Sequence, residues 1–223
     1  MTLVDVARRL SVNDLRSLMK ISEKLAVLNR DRFQAFQTPF TQDNAKPAVH
    51  TFAGDTYIGL NAASMDEEDL EFAQGSVAIL SGLYGLLRPM DLVQPYRLEM
   101  GSRLKNPKGK GLYDFWGQQL SEAINHLTEE HADTTVINCA SNEYSKAVVR
   151  SVLNGDVITP VFKERRGDTL KVIGLFAKRA RGMMARHIVD HRLQHPEQIK
   201  DFSSGGYCYQ PDLSSDREWV FVR

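Results

Sequence analysis

Apolar residues recur at three- and four-residue spacing over residues 11–36: Leu15, Leu18, Ile21, Leu25 and Leu28. That spacing predicts one helix with an apolar stripe. Ser11 is its expected N-cap, with Asp14 three residues on as an approximate capping box. A polar, proline-bearing loop follows over 38–47. Residues 49–52 and 57–60 read as short strands, or strand–helix transitions, around Gly54 and Asp55. A second helix is predicted over 65–80, where acidic residues 66–69 suit the positive end of the helix dipole. A third covers 113–127.

Between the second and third helices the pattern tightens around glycine. Residues 68–89 have the outline of a helix–hairpin–helix: a helix ending near Leu80, the turn Gly82-Leu83-Tyr84-Gly85, then an apolar-basic stretch with Arg88. Such a hairpin can aim backbone N–H groups at a phosphate. An ordinary αα turn has the same pattern.

The second half is richer in β-branched runs. Residues 134–138 predict a short strand, followed by a helix to about Val152. Residues 157–162 and 170–176 flank a charged loop with Gly167 and Asp168, which predicts a β-hairpin. Residues 177–193 form a basic helix, and 202–209 and 218–222 two late strands. The expected fold is mixed α/β, of the α+β kind. One domain spans 1–223, with a mixed sheet flanked by helices and a helix–hairpin–helix-like element. The irregular order argues against a doubly wound sheet.

With 42% hydrophobic and 25% charged residues, the composition is that of a globular chain, neither disordered nor membrane-embedded. No run of about 18 apolar residues appears, and the start lacks a signal peptide's apolar region. Cys139 and Cys208 have no metal or disulfide-framework spacing. A reducing cytoplasm is the expected compartment.

Charge changes this ordinary picture, because a formal net charge of zero hides two basic segments. Residues 88–111 hold six Lys/Arg against two acids, a balance of +4; residues 163–192 hold nine against three, a balance of +6. Together in space they would form a surface suited to a phosphate backbone; apart they are two solvated stretches. In the second segment Arg179, Gly182 and Arg186 share one helix face, with Lys178 and Arg181 beside it. Arginine forks suit phosphate, and the glycine permits close approach by another helix or by a sugar-phosphate chain. A solvated amphipathic helix with an Arg186–Asp190 pair also accounts for the pattern.

A second constellation joins the strand at 134–138 to the next helix. Ser141 could act as a nucleophile with Glu143 or Lys146 as base, or Ser141 and Asn142 could simply cap the helix. His187 and His191 stand four apart, but no acidic partner has the spacing of a zinc hydrolase, so no metal site is expected. Walker, GxGxxG and GxSxG motifs are absent, and nothing calls for a cofactor.

Several segments carry a family resemblance. Residues 80–101 (LSGLYGLLRPMDLVQPYRLEMG) resemble the signature of the YaaA peroxide-stress protein family. Residues 52–60 (FAGDTYIGL), 112–117 (LYDFWG), 140–144 (ASNEY) and 177–186 (AKRARGMMAR) match it too, in order, over essentially the whole chain. The resemblance implies a bacterial cytoplasmic protein that helps cells survive hydrogen peroxide, limits free intracellular iron and protects DNA. It further implies double-stranded DNA binding by a helix–hairpin–helix and a basic cleft. By charge and motif the hairpin falls on Gly82, Tyr84 and Gly85. The cleft takes in Arg88, Lys105, Lys108, Lys110, Lys178, Arg179, Arg181 and Arg186. The family's N-terminal strand and Ser-Pro-Ala-Lys loop have no counterpart in this sequence.

Two functions follow as expectations. The first is a non-enzymatic stress protein that contacts mostly DNA phosphates, with no membrane and no protein partner. The second is an enzyme acting on a nucleotide or damaged nucleic acid in the same cleft. It would require the Glu143 carboxylate within hydrogen-bond reach of a nucleophile or cation.

Overall fold

A computed structural model describes all of residues 1–223. The first third is helical: α1 (Thr2–Ala7), α2 (Val12–Met19) and α3 (Glu23–Ala35) precede β1 (Lys46–Pro47), α4 (Ala48–Thr51), α5 (Asp55–Leu60) and α6 (Glu67–Ser76). Three short strands follow, β2 (Ile79–Ser81), β3 (Gly85–Leu87) and β4 (Leu92–Val93), then α7 (Leu112–Trp116) and α8 (Gln119–Leu127). The last part holds β5 (Val136–Ile137), α9 (Asn142–Ser145), β6 (Val157–Arg166), β7 (Thr169–Lys171), α10 (Gly174–Asp190), β8 (Cys208–Tyr209) and β9 (Glu218–Val222). The architecture is the expected mixed α/β.

The main sheet runs β5-β6-β9-β8, with β7 paired to the far end of β6. β5–β6 and β6–β9 are parallel; β8–β9 and β6–β7 are antiparallel. Pro160 in β6 has no N–H for a ladder. It is tolerated because β5 pairs with β6 only at Val157 and Ile158, so the side where that N–H would point is open. The buried alternation of β6, with Ile158 and Phe162 inward, packs on Ala180 and Met184 of α10 and on Phe202, Tyr207 and Phe221. A second apolar cluster joins α1–α3 to residues 83–112 through Leu15, Phe33, Leu98, Met100 and Leu112. A third lies around Val49, Leu60, Ile79 and Val93.

Local signals explain many boundaries. Ser11 and Asp14 form the reciprocal capping box: the Asp14 N–H donates to Ser11 Oγ at 3.2 Å, and the Ser11 N–H to Asp14 Oδ2 at 2.9 Å. Asp66 and Asp69 do the same for α6. The expected single helix over 11–36 is two helices, because Lys20 takes a left-handed conformation (φ 52°) and Ser22 caps α3 afresh. The break rotates the stripe: Leu25 and Leu28 are exposed, while Ala26 and Phe33 are buried. Gly117, at φ +50°, likewise splits 113–127 into α7 and α8. Residues 49–52 and 57–60, read as strands or transitions, lie mostly in the short helices α4 and α5.

The helix–hairpin–helix is replaced by a β-hairpin. β2 pairs antiparallel with β3, from Ile79–Leu87 down to Ser81–Gly85. The turn is covered from elsewhere in the chain. Trp116 Nε1 donates to the Gly82 carbonyl at 3.0 Å, and a methyl on Gly82 would lie 2.3 Å from the Leu98 carbonyl. Gly85 has φ +84°, and its Cα faces the Trp116 ring. The Tyr84 hydroxyl accepts the Gln94 N–H, and the Tyr84 N–H donates to Ser81 Oγ. Gly82, Tyr84 and Gly85 therefore build a turn covered by Trp116 and Leu98, not the exposed loop between two helices.

Candidate functional site

The turn at the carboxyl end of β5 is where distant segments converge. Asn138 continues the ladder by donating its N–H to the Ile158 carbonyl at 2.8 Å, and its side-chain Oδ1 accepts the Ala140 N–H at 3.2 Å. Three long-range bonds then hold residues 140–143. Arg181 Nη1 of α10 donates to the Ala140 carbonyl at 3.0 Å. The Gly101 N–H donates to Glu143 Oε1 at 2.8 Å, and the Tyr113 hydroxyl to the Glu143 carbonyl at 2.8 Å. Gly101 and Tyr113, which bracket the lysine loop, and Arg181 of α10 thus all meet this turn.

The lysine loop is built rather than loose. The Asn106 side chain donates to the Leu104 and Gly111 carbonyls at 2.9 Å each and accepts the Lys108 N–H at 2.9 Å. Asp114, at the start of α7, accepts the N–H groups of Lys110 and Gly111. Lys105, Lys108 and Lys110 are exposed, and none has an acidic partner within 4 Å. Lys108 Nζ stands 4.8 Å from the Phe115 ring centre, a cation–π contact that leaves its charge available.

The helix α10 divides its basic residues among different tasks. Lys178 and Arg179 are exposed and unpaired. Arg186 is committed internally: to Asp190, to Asp69 at 3.7 Å, to the Asn61 carbonyl at 3.0 Å and to Ser64 Oγ at 2.7 Å. Gly182 meets another helix: a methyl there would fall 1.8 Å from the Thr56 carbonyl of α5. Arg181 is half-buried, with its Nε covered and without a partner. Desolvation lowers its pKa. Arg88 is exposed, loosely paired with Asp91 at 3.7 Å.

Ser141 occupies the N-cap position of α9, yet its hydroxyl makes no capping bond. Glu143 is exposed and spends its carboxylate on the Gly101 N–H, within reach of neither the Ser141 hydroxyl nor a cation. Lys146 is exposed and unpaired. These three residues do not assemble a nucleophile and base. Cys139 is half-buried with its sulfur turned inward, and desolvation pushes its thiol up to about 12, so it is neutral.

Reasoning residue by residue did not join three phenols into one group. Tyr57 of α5, Tyr96 of the 94–101 loop and Tyr144 of α9 are neighbours in space. Burial pushes Tyr144 up to about 12, with Glu143 and Glu99 adding repulsion; Tyr57 and Tyr96 rise further for the same first reason. All three are neutral donors. Each sits inside a segment that carries the family resemblance, which was the available signal. A shallow cavity of about 290 Å³ elsewhere is lined by His187, His191, Gln198, Asp201, Ser203 and Ser204, among others.

A UPF0246 protein of Magnetococcus marinus is 56% identical over 221 residues, covering 99% of this chain and 86% of that protein. UPF0246 proteins of Idiomarina loihiensis and Dinoroseobacter shibae are 51% and 52% identical over 221 and 223 residues, covering 86% and 84% of their lengths. The family described as "Peroxide stress protein YaaA" matches residues 1–213. With that match and those identities, the chain belongs to the YaaA (UPF0246) family of peroxide stress proteins.

Proposed function

We propose that this protein serves the peroxide-stress response by binding double-stranded DNA in the bacterial cytoplasm, mainly through phosphates, and so shields DNA from oxidative damage. The observation that supports the reading is the set of unpaired cations on the two segments tied to the 140–143 turn. Lys105, Lys108 and Lys110 on one, and Lys178 and Arg179 on the other, are exposed without acidic partners. Cations free of internal ion pairs are the ones available to displace DNA counterions. Arg186, held by four internal partners, is left out of the interface. In this reading the lowering of free iron follows indirectly, from another process.

The test is duplex binding by fluorescence anisotropy across a salt series. Five phosphate contacts give a log–log salt slope of about −4.5, at roughly −0.9 per contact. The Lys178→Ala/Arg179→Ala double variant should soften that slope by about 2. An unchanged slope removes α10 from the interface, and no binding at low salt overturns the reading.

A further inference from the structure

We propose that Arg181 is the receptor for a small oxyanion, a phosphoryl or carboxylate group, at the carboxyl end of β5. The inference goes beyond duplex binding and does not rest on it.

The guanidinium has one protein partner, the Ala140 carbonyl, which takes Nη1 at 3.0 Å. Nε is buried and has none. Nη2 has no protein partner either, and it is not among the buried orphan atoms, so it is the end open to solvent. Nε–H and Nη2–H lie on the same edge of the group. They are the two parallel donors that grip two oxygens of a carboxylate or phosphate. By engaging Nη1, Ala140 sets the plane of the group and leaves the other edge without a protein partner, its Nε covered and its Nη2 open.

The charge at this place has no counter-charge. No Asp or Glu approaches Arg181 within 4 Å. The neighbouring ionisable side chain is Cys139, whose desolvated thiol stays protonated. Arginine does not shed its proton in proteins, so a half-buried guanidinium is neutralised by an anion or carries an uncompensated desolvation cost. Arg186, five residues on along the same helix, shows the contrast, with Asp69 and Asp190 beside it. Next to the carbonyl that Arg181 holds, the Ser141 hydroxyl is uncommitted and supplies a further donor. The place lies beyond the carboxyl end of a parallel strand, where α/β sheets commonly bind ligands.

A small anion fits the burial better than a duplex does. Nη2 is the point of entry, with the covered Nε–H beside it. A terminal phosphoryl or carboxylate group can reach into such a half-covered site. A backbone phosphodiester is tethered on both sides.

The test uses the full chain, with inorganic phosphate, acetate and a DNA duplex as separate probes. Calorimetry measures affinity, and the ¹⁵N-resolved Nε–H resonance of Arg181 reports the contact. Phosphate or acetate should bind at one site and shift that resonance. Arg181→Lys keeps the charge and removes the fork, so binding should weaken at least about tenfold. Lys178→Ala/Arg179→Ala should leave small-anion affinity unchanged while softening the duplex salt slope. If the duplex shifts the same resonance and phosphate displaces it, the oxyanion is a DNA phosphate; if phosphate binds without affecting the duplex, it is a free anion. A silent Arg181 resonance at saturating phosphate and acetate overturns the proposal, as does undiminished binding by a folded Arg181→Lys protein. Should that variant fail to fold, the wild-type resonance still decides. Loss of duplex binding with the resonance still shifting would sink the DNA reading alone.

Discussion

Replacing Gly182 with alanine should destabilise this protein, although alanine is the better helix former. The interior of α10 gains about 1 kcal/mol from the change in propensity. Against it stands the contact with α5: the new methyl would lie 1.8 Å from the Thr56 carbonyl oxygen and 2.7 Å from the Leu60 nitrogen. Both neighbours are backbone, so no side chain can rotate away. The contact is reciprocal, because a methyl on Gly59 would meet the Arg179 carbonyl at 2.1 Å. Relief requires the helices to separate by roughly 1 Å along a buried seam, at the upper end of the overpacking cost, about 3 kcal/mol. The net loss is about 2 kcal/mol, which for a chain of this size lowers the thermal midpoint by roughly 4–8 °C. Gly75→Ala in α6 is the control, since nothing lies within 4 Å of its new methyl. It should raise the midpoint by roughly 2–4 °C, from the same propensity gain of about 1 kcal/mol. Thermal unfolding followed by circular dichroism measures both. A Gly182→Ala midpoint at or above wild type would refute the backbone-to-backbone seam.

Two further outcomes follow from burial. In the native protein a thiol reagent should label exposed Cys208 quickly, whereas Cys139, with its inward thiol pushed up to about 12, should react only on unfolding; equal native rates would contradict that. His187 faces the His191 ring at 4.3 Å, the Phe202 ring edge at 5.5 Å and the carboxylates of Asp190 and Asp201, and its Nε2 is buried without a partner. Burial, with His191 adding to it, lowers its pKa, so the unfolded chain binds the proton more readily than the native one. Its contribution to stability is present above the ordinary histidine value of 6.5 and is lost as pH falls from there through the lowered one. Denaturation midpoints should drop over that window in wild type and stay flatter in His187→Gln; parallel curves would remove His187 as the cause.

Signals contained within a few residues are legible in the amino-acid sequence alone. The Ser11–Asp14 box, the acidic start of α6, the turn at Gly167 and Asp168 between β6 and β7, and the basic helix α10 all appear close to where the sequence places them. Their causes are local: a side-chain oxygen reaching an N–H three residues away, or a glycine that accepts positive φ. Short apolar arms are different. Residues 79–87 suit a helical turn or a strand pair equally, since three-residue arms carry too little periodicity to separate the two. Trp116 and Leu98, brought from later in the chain, cover the turn that the β-hairpin makes.

Covalent structure alone settles which residues carry charge and that two segments concentrate the positive kind. Tertiary structure decided what each charge can do. Arg181 and Arg186 lie on one helix and look alike in sequence. Yet Arg186 finds Asn61, Ser64 and Asp69, all from the first third of the chain, and Arg181 finds a carbonyl and a neutral thiol. A side chain's charge is a covalent property, but its counter-charge and its exposure depend on which distant segments the fold packs against it.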